Sequence, residues 1–375
     1  MFCDEVTAGW VAALRAEVGG LDLVDVHTHL GQNDPDGFTC DRERLVGTLA
    51  SADARGVVFP MHEPEGYPAA NDAVIADAAA SEGRLTPLAR LDPAADPLGE
   101  AERSLANGAA GLKLHPRAER FDLDIPALAD VFALADERHL PVLVHAGRGI
   151  PALGRHAVAL CERHPGLRLI LAHAGISDLA WIWRSAQQLP NLFFDTSWWS
   201  TSDLFCLWSR VPPGQVLFAS DAPYGTPGFA ASLNLRIALS AGLDHDQVRL
   251  AFGGQAERLL AAQDPIDGGP ATMATLEIDP VLDRLHTFIV SAIGQLLARQ
   301  DPAEALSLVR LACDVGEGAP EAPLCHTVLA LLDMRDEAEA RGDSDGRPPD
   351  FPPGLQLLVA AAGVVRTPDV ALPPL

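Results

Sequence analysis

The chain has 375 residues, 48% of them hydrophobic, and a formal net charge of −24 with an isoelectric point near 4.7. So acidic a surface lacks the basic footprint that nucleic acid or an anionic membrane requires, and the length allows one large barrel plus an appendage. The six cysteines form no Cys-x-x-Cys pair, the start is acidic, and no apolar run reaches membrane-spanning length, so a cytoplasmic protein is expected.

Strand and helix patterns alternate up to about residue 262. Residues 21–29 make the first strand, ending in His27-Thr28-His29. A helix over 42–54 feeds strand two at 56–62, which ends in His62, and a helix over 71–81 leads into strand three at 85–91. A further helix over 98–107 precedes strand four around Lys113. Ile125–Arg138 is amphipathic, with Asp122 or Asp124 placed to cap it. Strand five ends at His145, strand six at His173, strand seven covers 191–195, and strand eight covers 216–221. Eight such units in about 250 residues is the size of a (β/α)8 TIM barrel, whose catalytic groups lie at the C-terminal strand ends.

The texture changes after Leu260. Residues 263–274 read as a linker, and 275–375 as an all-helical extension with a Pro/Asp/Gly-rich loop near 341–353. Residues 275–340 show helical periodicity, with a first helix through Leu282 and Leu296, a second over 302–313 and a third over 324–340, and 355–365 is expected to form one more short helix. The apolar stripe Leu282, Leu285, Ile289, Ile293 and Leu296 must be covered by the barrel or by a second copy, and a homodimer through these helices is the expectation.

Lys113 is the only lysine, the other 26 of the 27 basic residues being arginine. A lysine kept against that bias suggests chemistry that guanidinium cannot perform: losing a proton, attacking a carbonyl, or taking up CO2 as a carbamate. Chance placement is the competing reading, and the neighbouring strand ends weigh against it. In order they present His27 and His29, Lys113, His145, His173 and Asp221. A lone histidine at a strand end is more often structural, whereas one ligand type per strand end, in sequence, points to a divalent metal. His115 and Arg117 just beyond Lys113, and Trp198, Trp199 and Tyr224 after strands seven and eight, are candidates for contacting substrate. His139, His156 and His164 lie on helices or helix ends, and Trp181 and Trp183 are expected in the core or an interface.

The segments Asp25-Val26-His27-Thr28-His29, Gly111-Leu112-Lys113-Leu114-His115-Pro116, Val144-His145-Ala146-Gly147, Ala172-His173-Ala174-Gly175 and Phe218-Ala219-Ser220-Asp221-Ala222-Pro223-Tyr224 together resemble the amidohydrolase superfamily. Within it they resemble the amidohydrolase-2 group of metal-dependent TIM-barrel hydrolases. Residues 252–260 are similar to that group's closing helix, with Gln255 in place of its usual asparagine. The resemblance implies that His27, His29 and Asp221 hold zinc, or alternatively manganese, and that Asp221 carries the proton from water to the leaving group. The bond broken would be an amide, lactam, ester or lactone of a small, carboxylated metabolite.

Lys113, His145 and His173 set the number of ions. In two-metal members a carbamylated lysine bridges both, and the two histidines hold the second. In one-metal members the strand-five histidine ligates and the strand-six histidine acts on the substrate. An uncarbamylated Lys113 binding a substrate carboxylate is a further alternative. Nonoxidative decarboxylases use the same barrel, generally without a lysine at that strand end, and an inactive scaffold is the third reading.

Overall fold

The computed structural model describes residues 4–277, 279–341 and 351–373. Eight parallel strands run in chain order: β1 Leu23–Leu30, β2 Ala54–Pro60, β3 in two pieces (Leu85–Pro87 and Ala89–Arg90), β4 Leu112–Leu114, β5 Pro141–Val144, β6 Arg168–Leu171, β7 Leu192–Asp195 and β8 Val216–Leu217. The break in β3 falls at Leu88, whose N–H donates to Val58 O while Ala89 N–H turns to Gly111 O, so the ladder passes from one neighbour to the next. Val26 N–H donates to Phe218 O (3.0 Å) and His29 N–H to Ala222 O (2.8 Å), joining β8 to β1 and closing the barrel.

Alternation along each strand sorts the side chains. Val57, Phe59, Leu88, Leu143, Ile170, Phe193 and Leu217 fill the interior, while Leu112, Leu114, Val142, Val144, Leu169 and Leu171 pack outward under the helices. One strand breaks the rule. Val24 and Val26 both face inward, so strict alternation would turn His27 and His29 outward. The β1–β2 register shifts between Asp25 and Thr28, an irregularity of the bulge kind that restores both imidazoles to the interior.

The expected elements are present with shifted ends. Pro126 gives a 3-10 turn over Pro126–Leu128, and the α-helix begins at Ala129; neither Asp122 nor Asp124 caps it, and Asp124 faces His156 at 3.6 Å instead. Trp181 is exposed on the Leu179–Ala186 helix, its indole N–H donating to Asp178, so it is not core. Asp4–Glu17 forms a helix that packs on the Pro227–Ser240 helix and buries Trp10, Val11 and Leu14.

Residues 263–277 carry no regular element but are pinned: the Gln255 amide donates to Gly214 O and Ile266 O and accepts from Ile266 N–H. Gln255 thus ties the connection to the barrel, away from the metal-type residues. The extension then comprises Pro280–Leu297, Ala303–Ala312, Ala322–Arg341 and Leu355–Arg366. Most of the loop expected near 341–353 (residues 342–350) lies outside the described residues.

Leu355–Arg366 is buried along almost its whole length. It packs on the Pro280–Leu297 and Ala322–Arg341 helices and on the barrel helices Thr201–Arg210 and Pro227–Ser240. A Cβ at Gly363 would come within 2.7 Å of Leu233, so the glycine permits this close approach. The buried Arg236 guanidinium donates to Thr367 Oγ1, Thr367 O, Val370 O and Ala371 O, capping the end of the helix. Leu282, Leu285 and Ile289 are buried within the same chain, while Ile293 and Leu296 of the stripe remain half-buried. No described helix is long and apolar enough to cross a membrane.

Candidate metal centre

Three of the predicted ligands meet at the C-terminal mouth of the barrel. His27 Nε2 lies 3.2 Å and His29 Nε2 3.1 Å from the same Asp221 oxygen, and the three ligand atoms lie within 4.8 Å of one another. Asp221 adopts a left-handed backbone, φ +61°, a conformation costly for a residue with a side chain and typical of sites where the surroundings enforce it. Burial raises its carboxyl pKa well above the ordinary range, partly offset by the Lys113 charge.

Asp195, at the end of β7, orients His27. Its Oδ2 accepts from His27 Nδ1–H at 2.7 Å, which leaves the Nε2 lone pair directed at Asp221. Its Oδ1 accepts from His173 N–H (2.9 Å), Ser197 N–H (3.0 Å) and Ser197 Oγ–H (2.5 Å). Burial opposes ionisation of Asp195, but His27 and these donors outweigh it and hold the carboxyl below the usual range. Asp25 plays a similar part beneath the site, accepting from His27 N–H, Ser220 N–H and Ser220 Oγ–H.

His173 also has a left-handed backbone, φ +55°. The Ser197 carbonyl cannot donate, so His173 Nδ1 carries the proton that bonds to it at 2.8 Å. Its Nε2 then accepts from His145 Nδ1–H at 3.0 Å, and His145 Nε2 is buried without a partner. The two imidazoles therefore form a pair beside the first three ligands, with the His27 and His173 rings 5.1 Å apart.

Lys113 is fully buried and its Nζ has no hydrogen-bond partner. The amine sits 4.5 Å from the centre of the Phe59 ring, which itself touches the rings of His27 and His29. Burial, with the charge of Arg90, pushes its pKa down to about 7. Arg90 is the register neighbour of Lys113 and is also buried; its guanidinium donates to Glu119 (2.7 Å) and to Pro60 O (3.2 Å), and Tyr67 OH donates to the same Glu119 oxygen.

A cavity of about 600 Å3 opens over these residues, bordered by His145, His173, Ser197 and Asp221 and, at its polar side, by the exposed Arg117 and Arg148. Trp198 and Trp199 border it as expected, and Arg148 lies over the Trp198 ring at 5.7 Å. His115 and Tyr224 do not border it. His115 stacks on His145 at 3.8 Å and accepts from Ala118 N–H, while Tyr224 donates to Asp34 and sets its ring edge-on to His29. His62 is half-buried beyond the rim.

Sequence reasoning did not assign Asp195, Ser197, Arg148 or His286. Asp195 carried the available signal, since it ends an apolar strand as the other ligand-type residues do. His286 carried none: it comes from the extension, where it bonds Thr201 Oγ1 at 2.9 Å and borders the same cavity.

Residues 24–261 match the family described as Amidohydrolase (Amidohydro_2). No curated protein matches the sequence at a significant level. Among solved structures, an uncharacterized TIM-barrel protein from Bordetella bronchiseptica is similar at 18% identity and TM-score 0.53, covering 64% of this chain and 99% of its own. The 5-carboxyvanillate decarboxylase LigW from Sphingomonas paucimobilis is similar at 17% identity and TM-score 0.51, covering 64% and 99%. The 4-oxalomesaconate hydratase LigJ from Rhodopseudomonas palustris is similar at 15% identity and TM-score 0.52, covering 64% and 96%. At these identities the likeness is one of fold.

Proposed function

The chain belongs to the amidohydrolase family, and on that premise we propose that it is a metal-dependent hydrolase that opens an amide, lactam, ester or lactone bond in a small carboxylated molecule. The observation carrying this reading is the convergence of His27 Nε2 and His29 Nε2 on one oxygen of Asp221. Two neutral imidazoles and a carboxylate form a donor set that suits zinc, with manganese the other candidate. A divalent ion bound there supplies a polarised carbonyl and a water of lowered pKa.

The chain's own residues supply the rest. Asp195 holds His27 in the tautomer that presents Nε2. Asp221, whose oxygen lies against both imidazoles, takes the proton of the attacking water and passes it to the leaving atom. His145 offers the unpartnered Nε2 as a further ligand, and His173, fixed by Ser197, faces the substrate. Lys113 belongs to the metal centre: a buried amine without an acceptor is costly, and carbamylation would turn it into an anionic oxygen ligand among cations. Arg117 and Arg148 receive the substrate carboxylate.

Decarboxylation is the second reading, because two arginines at the rim suit a carboxylate that departs as well as one that stays. The test is to load the protein with zinc and offer N-acyl amino acids, lactones and carboxylated phenols, following acid release and CO2 release separately. Acid release without CO2 supports the hydrolase. CO2 release transfers the assignment to the second reading, and neither product at full metal occupancy sinks both.

A further inference from the structure

The family match ends at residue 261, and the three solved structures cover at least 96% of their own length but 64% of this chain. The extension is thus an addition to the shared barrel, yet it borders the cavity over the metal-type residues. His286, Thr287, Val290, Ile293 and Leu297 come from the Pro280–Leu297 helix, and Val359 and Ala362 from Leu355–Arg366. We propose that the extension is the specificity wall of the site and selects a carboxylate carrying a linear apolar arm, laid along the Pro280–Leu297 helix. The proposal rests on the hydrolase reading only for the polar end of the ligand.

The cavity has two chemically distinct sides. The barrel contributes the charged and metal-type groups, among them His145, His173, Asp221, Arg117 and Arg148, whereas the extension contributes mainly aliphatic ones, Val290, Ile293, Leu297, Val359 and Ala362, with His286 and Thr287 the polar exceptions. Trp198, its ring centre 6.3 Å from that of His173, supplies apolar surface beside the imidazole pair. Val290 is 45% and Leu297 53% exposed, and both border the cavity together with Ile293 of the same helix. A ligand arm would cover them, whereas water leaves the apolar surface unsatisfied.

The wall is built to hold position. The adjoining face of the same helix buries Leu282, Leu285 and Ile289, with His286 at the boundary, Asp279 caps its first turn, and Arg366 pairs with Asp283 at 3.5 Å. Burial lowers the His286 pKa to about 4, so that ring is neutral and places no charge along the arm's path. From His286 to Leu297 the helix runs ~16 Å, room for an arm of several carbons.

The test is calorimetric titration of the zinc-loaded full chain with acetate, butyrate, hexanoate and octanoate. Wild-type affinity should rise about fourfold per methylene until the wall is covered. Val290→Asp should flatten that rise, and Val290→Trp, which fills the groove, should weaken octanoate while butyrate is spared. Melting curves on both variants confirm that they fold. An affinity independent of chain length in wild type overturns the proposal, as does a rise that survives Val290→Asp, or chain-length independence together with a dimer that covers Val290 and Leu297. Metal-stripped protein separates the two readings. If metal analysis shows that the stripped protein takes up no added zinc or manganese, the metal reading fails, while the methylene increment stands or falls on its own.

Discussion

Replacing Asp195 by asparagine changes one atom and should disable a ligand that Asp195 never shares with the metal. Oδ1 receives three donors, His173 N–H, Ser197 N–H and Ser197 Oγ–H, so the carbonyl oxygen of an asparagine must take that place. The amide NH2 then faces His27 Nδ1, where Asp195 now accepts at 2.7 Å. Two donors cannot face each other, so His27 must move its proton to Nε2 and lose the lone pair aimed at the ion. The lost charge-assisted hydrogen bond is worth about 1.5–3 kcal/mol, or about 10- to 150-fold in affinity. A fall of about 100-fold in zinc affinity is expected, at the upper end of what such supporting groups contribute. Competition against a chelating dye at neutral pH measures it, and excess zinc should recover much of kcat because the ligands themselves are intact. The side chains are nearly isosteric, so the melting temperature should move little. Wild-type zinc affinity in Asp195→Asn would refute the orientation argument.

Three further outcomes follow from the same geometry. Lys113→Arg should lose bound metal and lower kcat on the order of a thousandfold or more, since a guanidinium cannot take up CO2; full metal content with near-normal kcat would show that the lysine is no ligand. Replacing both Arg117 and Arg148 by methionine should raise KM for a carboxylated substrate about 100-fold and leave kcat largely intact, read from initial rates; an unchanged KM removes them from the substrate site. Arg236→Met should cost about 3 kcal/mol in urea unfolding, because three buried acceptors on Thr367 and Val370, and a more exposed one at Ala371, lose their donor; an unchanged midpoint would show that the end of the last helix is held by packing alone.

The strand ends were legible because burial on both faces makes each strand an apolar run, and a polar residue at its end then stands out. Asp195 obeyed the same rule, but the residues after it, Thr196 to Ser200, read as pocket-mouth loop and drew attention past it. The face of His27 and His29 was anticipated from their mutual spacing, yet the agreement hides a conflict with Val24 and Val26 that only the bulge resolves. The N-terminal helix has an acidic start that hides it, yet the spacing of Trp10, Val11 and Leu14 marks a buried stripe. The periodicity of the extension was plain, and its docking site was not. The clue lay in the Pro227–Ser240 helix, buried on every side through Ala238, where an outer barrel helix normally keeps a polar face.

That arrangement has a consequence for how the protein is made. Residues 355–366 follow every barrel strand in the chain, so during synthesis the whole barrel emerges before its last covering is available. Until then the apolar faces of the Thr201–Arg210 and Pro227–Ser240 helices stand open to water, an invitation to self-association or to chaperone capture. His27, His29 and Asp221 can already be in place at that point, but the cavity above them lacks Val359 and Ala362. Completion of the cavity is therefore coupled to completion of the polypeptide, and a ribosome that stops short of this helix releases a barrel with an unfinished room.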